Sequence, residues 1–211
     1  VDRVNEKLLK EAYDRMQTDI RASHILIKVA EEALPKDTLT AYNKIMKIRE
    51  RVMKGEDFGK VAMEVSDDPS AKQNSGDLGY FTALQMVYTF ETAAFNTKAG
   101  EVSKPVRTRF GYHIIKVVDK AKAHGEIQAA HIAVKTPGGM SKEDSIKAKA
   151  KIDELYQKIK NGENFVELAK TYSDDKQSGQ KGGDLGSFSI NKYPFEFEQA
   201  AFALKNNGDI S

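Results

Sequence analysis

No cysteine occurs among the 211 residues. That excludes disulfides, thiolate metal sites and cysteine nucleophiles, and it leaves the compartment open, because exported and cytosolic chains alike can lack thiols. Neither sign of charge dominates, since 33 Lys and Arg face 31 Asp and Glu for a formal net charge of +2. The concentrated positive field that nucleic-acid binding requires is therefore missing. No apolar run approaches the length of a membrane span, so no membrane insertion is expected. Val1-Asp2-Arg3 does not begin a signal peptide, and the stretch reads as a processed or excised piece whose targeting comes from elsewhere. What is present is 40% apolar residues over a length that suits one or two domains, enough for a core in each.

The chain repeats itself. Ala22-Ser23-His24-Ile25-Leu26-Ile27-Lys28 returns 107 residues later as Ala129-Ala130-His131-Ile132-Ala133-Val134-Lys135. The same offset carries Gly55-Glu56-Asp57-Phe58 onto Gly162-Glu163-Asn164-Phe165, Ser66-Asp67-Asp68 onto Ser173-Asp174-Asp175, and Gly76-Asp77-Leu78-Gly79 onto Gly183-Asp184-Leu185-Gly186. It also carries Phe90-Glu91 and Ala93-Ala94-Phe95 onto Phe197-Glu198 and Ala200-Ala201-Phe202. A period this long lets each copy be a whole domain with its own core, unlike solenoid units that must stack. Two beads are expected.

Within the first copy, a β-rich start at His24 to Val29 gives way to a helix with Leu39, Tyr42, Ile45, Ile48 and Val52 on its apolar side. Gly55 stops that helix. A second helix follows with Phe58, Val61, Ala62 and Val65 on one face, and a third around Phe90 to Phe95. Val106 and Tyr112 to Val118 read as closing strands joined through Gly111, which makes the copy α+β with a small antiparallel sheet. Lys120 to Gln128 is the linker candidate. Residues 1–18 place Val4, Leu8, Leu9, Ala12 and Met16 on roughly one helical face, an appended helix too short to stand alone. The last residues match the neighbourhood of Ser103, so the second copy lacks the counterparts of Lys104 to Asp119 and its sheet is expected to stay open.

The order His24-Ile25-Leu26-Ile27, Ser66-Asp67-Asp68, Gly76 to Phe81, Met86, Phe90-Glu91, Gly100-Glu101-Val102-Ser103 and Phe110 to Ile115 resembles the parvulin rotamases. The likeness spans residues 22–119 and recurs from Ala129 to the C-terminus. It implies two domains, each a four-stranded antiparallel sheet surrounded by helices, the second truncated before its last strand. The expected boundaries are a helix over 1–18, domains over 19–121 and 129–211, and a linker over 122–128. It further implies isomerisation of X-Pro bonds in unfolded polypeptides, with no metal and no organic cofactor.

Rotating an amide means losing resonance against a barrier of roughly 18–20 kcal/mol, with no bond broken. A catalyst needs an apolar slot for the proline ring, a poorly hydrated setting for the amide, and polar groups that favour the twisted form. By the resemblance, Leu78, Met86 and Phe90 form the ring pocket, and an aromatic, a thioether and a branched aliphatic suit a ring without a donor. His24 and His113 match a histidine pair that can fix each other's tautomer. Thr108 matches a hydroxyl residue linked to that pair. Asp68 stands where some parvulins carry cysteine and others aspartate, which argues against a covalent step. Taken alone, the histidines read equally well as a satisfied core network, the three apolar residues read better as core packing, and Asp67-Asp68-Pro69-Ser70 reads as a turn. Metal binding by the histidines and nearby acids matches no ligand spacing.

The second copy keeps His131, Asp175, Leu185 and Phe197 but has Tyr193 in place of Met86, and it is expected to be inactive as it stands. Catalysis is therefore expected in the first copy. The alternative class is a non-catalytic chaperone that holds unfolded chains. A tandem behind a helix looks like the exported folding factors, which implies an extracytoplasmic location. No Lys/Arg cluster lies between Glu64 and Leu78, so no dependence on phosphorylated substrates is expected.

Overall fold

The computed structural model describes residues 6–139 and 141–211, so Val4, assigned above to the first helix, lies outside the described residues. The chain divides into two units, Val1–His124 and Gly125–Ser211.

The first unit opens with α1 (Glu6–Arg15) and continues through β1 (Thr18–Lys28), α2 (Pro35–Met53), α3 (Phe58–Val65), α4 (Ala71–Asn74), β2 (Asp77–Phe81), α5 (Tyr88–Asn96), β3 (Val106–Thr108) and β4 (Gly111–Lys122). The strands form one antiparallel sheet in the order β2-β1-β4-β3. Because side chains alternate along a strand, each long central strand feeds two different cores. Ile25 and Ile27 of β1 and Ile114 of β4 pack with Ala41, Ile45 and Ile48 of α2 and Phe58, Val61 and Ala62 of α3. Ile20, Ala22, Ile115 and Val117 pack on the opposite face with Phe81, Phe90 and Ala94. His24 lies opposite Ile115 and His113 opposite Leu26, so both histidines point to the second face, beneath α5.

Local chemistry sets the helix ends. Pro35 occupies the first turn of α2, where its missing N–H is harmless, and the helix stops at Lys54 ahead of Gly55, which has a left-handed φ of +102°. Asp57 caps α3 by accepting the Lys60 N–H at 2.8 Å. Two expectations need correction. Thr18 belongs to β1 and not to the first helix, because it pairs with Lys122. For the same reason Lys120 to Lys122, placed in the linker candidate, are the end of β4, and Ile127 and Gln128 at the other end of that candidate pair as strand with Phe188 and Ser187.

The second unit contains β5 (Ile127–Ala130), α6 (Lys142–Lys160), α7 (Phe165–Tyr172), α8 (Lys176–Gly179), β6 (Asp184–Phe188) and α9 (Phe195–Ala203). Its sheet has two strands, β5 and β6. Residues 131–135 read as strand in sequence but are not strand here. In the first unit the equivalent residues, His24 to Lys28, pair along β4 while β2 reaches only as far as Ser23. No counterpart of β4 follows in this sequence, and strand pairing is what makes an extended segment a strand.

Candidate active site

The site forms where the two central strands of the first sheet present their histidines to α5. His24 Nε2 lies 2.7 Å from Asp68 Oδ2, and His24 Nδ1 lies 3.2 Å from His113 Nδ1. His113 Nε2 lies 2.8 Å from Thr108 Oγ1, which in turn accepts the Phe110 N–H at 3.1 Å. Only one proton arrangement satisfies the row when both imidazoles are neutral. The Asp68 carboxylate can only accept, so His24 donates from Nε2 and accepts at Nδ1. His113 then donates from Nδ1, and its Nε2 accepts from the Thr108 hydroxyl. Every imidazole nitrogen in the pair has a protein partner, and the donors run in one direction from Phe110 to Asp68.

Ionisation agrees with that assignment. Burial pushes His113 down to about 4, with the neighbouring His24 acting in the same direction. At Asp68 burial works to raise the carboxyl. Hydrogen bonds from the Ser70 N–H, His24 and the Ser70 hydroxyl outweigh it and hold the group below its usual range. Asp68 is thus an anion whose Oδ1 is held by Ser70 at 3.0 Å (N–H) and 2.9 Å (hydroxyl) and whose Oδ2 faces His24. It is a fixed charge in a turn.

A stability prediction follows from the depressed His113. Between about 4 and the unfolded value near 6.5, the unfolded chain binds a proton that the folded chain does not. The stability this supplies is present above pH 6.5 and lost as pH falls through 4. At 1.36 kcal/mol per pH unit it amounts to ~3 kcal/mol. Urea unfolding of the first unit between pH 4 and 7 is expected to show this slope in the wild type and to lose most of it in His113→Gln. Equal slopes in both would place the titration elsewhere.

The apolar wall lies across the same face. The Phe90 ring meets His24 edge-on at 5.7 Å between centroids and His113 at 5.4 Å. Leu78 of β2 and Met86 of the β2–α5 loop pack against the cluster that contains Phe90, and both stay partly exposed. The structure therefore brings all seven residues singled out in the first copy to one face: His24, Asp68, Thr108, His113, Leu78, Met86 and Phe90.

In the second unit His131 Nε2 lies 3.0 Å from Asp175 Oδ2 and 3.0 Å from Ser178 Oγ. Hydrogen bonds from Ser178 and His131 hold the Asp175 carboxyl well below its usual range. Phe197 meets His131 edge-on at 5.9 Å, and Tyr193, in the Met86 position, lies 5.1 Å from Phe197 and 4.7 Å from Phe188. Leu185 lies half-buried on β6. The carboxylate, one histidine and an aromatic wall recur, without the second histidine and the threonine.

Sequence reading missed several parts of this machinery. Ser66 Oγ accepts the N–H groups of Leu26 and Asp68, fixing the Asp68 turn to β1. Ser178 replaces Ala71 of the first copy and touches His131, a substitution that position-by-position comparison of the copies exposes. Glu91 is buried at 3% exposure within the motif Phe90-Glu91 and reaches the pocket loop.

The model of the PPIC-type PPIase domain matches residues 7–121 and again 118–210. The chain belongs to this family. Among curated relatives, the foldase protein PrsA of Geobacillus kaustophilus is 50% identical over 120 residues, covering 57% of this chain and 38% of that protein. The chaperone SurA of Alkalilimnicola ehrlichii is 34% identical over 207 residues, covering 95% of this chain and 47% of that protein. The chain thus spans half or less of these relatives' length. Among solved structures, the peptidylprolyl isomerase PrsA of Bacillus anthracis is 25% identical with a TM-score of 0.46, covering 97% of this chain and 67% of that one. The chain is a parvulin with two matches to the domain in tandem, similar to the foldase PrsA and the chaperone SurA.

Proposed function

We propose that the first copy is a peptidyl-prolyl cis/trans isomerase that acts on X-Pro bonds of unfolded or nascent polypeptides without covalent chemistry. The observation that carries this reading is the unbroken donor row from Thr108 through His113 and His24 to Asp68, lying under the Leu78, Met86 and Phe90 wall. The apolar wall takes the proline ring and strips water from the amide, which favours the twisted form because that form has lost resonance and part of its polarity. The neutral histidines and the fixed Asp68 charge set the field around it.

A second reading is a module that only holds unfolded chains. The names foldase and chaperone carried by the relatives favour it. The second copy, with an incomplete row, suits that role. Location outside the cytoplasm is part of the proposal and rests on the likeness to exported folding factors. Among the described residues no helix is long and apolar enough to cross a membrane.

The two readings differ in turnover. A catalytic amount of the chain is expected to speed cis/trans exchange in Ala-Pro and Phe-Pro peptides present in large excess, read by two-dimensional exchange NMR. Phospho-Ser-Pro peptides are expected to gain no advantage. Shifted populations without faster exchange would leave the holding role alone.

A further inference from the structure

The loop that carries Met86 is held by an ion pair whose cation, Arg15, lies outside the repeated pattern. Loop residue Leu84 has a φ of +68°, a left-handed conformation that a leucine resists. Its side chain is exposed, so packing does not hold it there. Its backbone N–H donates to Glu91 Oε2 at 2.7 Å. The other oxygen of Glu91 accepts from Arg15 Nη1 at 2.8 Å. Arg15 is itself the buried residue of α1, with its side chain 9% exposed against 3% for Glu91. Its Nη2 donates to Thr92 Oγ1 at 2.9 Å and to Glu11. The guanidinium lies 5.4 Å from the centre of the Tyr88 ring and 5.2 Å from that of Phe95, so two further α5 side chains frame it.

The second copy builds the same loop differently. There the left-handed residue is Asn191, with a φ of +66°, and asparagine tolerates that conformation. Glu198, the counterpart of Glu91, accepts three backbone N–H groups, from Asn191 at 2.9 Å, Lys192 at 2.6 Å and Tyr193 at 2.7 Å. No guanidinium pairs with it among the described residues. One copy has a leucine in the left-handed conformation and a buried arginine on the glutamate. The other has a tolerant asparagine and three backbone bonds.

We infer that Arg15 is a positioning residue for the first active site: through Glu91 it holds Leu84 in its left-handed conformation and so sets where Met86 meets the proline ring. Arg15 touches no substrate. It satisfies the buried Glu91 charge and orients the carboxylate so that one oxygen is free for the loop. The inference deepens the isomerase reading and rests on it for its effect on turnover, while its effect on the loop stands independently.

The test is a cycle in the full 211-residue chain. Arg15→Ala is expected to lower catalysed exchange of an Ala-Pro peptide about tenfold, the scale on which loose positioning acts. Arg15→Lys, which keeps the charge and guards against a folding defect, is expected to lose about threefold. Made in a Leu84→Asn background, Arg15→Ala is expected to lose less than about threefold, because the residue no longer has to be forced left-handed. In parallel, the Leu84 amide is expected to lose hydrogen-exchange protection and the Met86 methyl to shift in Arg15→Ala, and both changes are expected to shrink when Leu84→Asn is present. An equal loss in both backgrounds would reduce Arg15 to a helix-docking residue and overturn the inference, as would an unchanged Leu84 amide. If the wild-type chain shows no turnover, the isomerase reading fails and the amide and methyl signals alone decide the positioning.

Discussion

Gly111→Ala is expected to destabilise the first unit by roughly 3–5 kcal/mol, a large fraction of the roughly 5–15 kcal/mol that holds a domain folded. Two effects combine. Gly111 has a φ of +145°, a region open essentially to glycine alone. An added Cβ would also stand 2.2 Å from Ile27 O and 2.9 Å from Lys28 Cα. Neither neighbour can yield, because both are backbone of β1 at the point where it pairs with β4, two residues before His113. Gly79→Ala is the matched comparison. Its φ of +68° is left-handed, yet an added Cβ meets nothing within 4 Å, so only the conformational cost of about 1–2 kcal/mol remains. Urea unfolding read at β4 amide signals is expected to separate the two variants by at least 1 kcal/mol. Equal losses would mean that β1 and β4 are not so tightly apposed.

Met86→Ala is expected to lower catalysed X-Pro exchange about tenfold to a hundredfold. The side chain packs beside Phe90 at the edge of the buried cluster and is half exposed, so its free face is available to a ligand. Removing most of a methionine's apolar contact loses ~1.5–3 kcal/mol of burial, and each 1.4 kcal/mol is a factor of ten. The same half-exposure limits the loss of stability to about 1 kcal/mol. Activity is therefore expected to fall while the urea midpoint of the first unit moves little. A parallel collapse of both would make Met86 a core residue and not a wall of the pocket.

Much of the arrangement was legible because it is local or repeated. The β-rich runs His24 to Val29 and Tyr112 to Val118 read as strands, and the side chains that alternate along them fill the two cores found. The ring pocket and the histidine row were legible only as a pattern of motifs along the chain. Their members lie on β1, β2, β3, β4, α5 and two loops, and no spacing rule joins Asp68 to His24 across 44 residues. What escaped is non-local. Arg15 sits on a short charged helix, where an arginine reads as solvated, and its partner is 76 residues away. The apolar side of α2 was misjudged by phase. Leu39 is 58% exposed, while small Ala41 is buried beside Ile45 and Ile48. Residues 131–135 carry a strand's composition without a strand's partner, since hydrogen bonding and not propensity decides the outcome.

The most direct measurement compares the two copies in one chain: two-dimensional exchange NMR on an Ala-Pro peptide in large excess over wild type, Met86→Ala and Tyr193→Ala. Faster exchange with wild type that is lost in Met86→Ala and kept in Tyr193→Ala is the expected result. Loss in Tyr193→Ala with Met86→Ala unaffected, or no acceleration by a folded wild-type chain, would contradict catalysis by the first copy.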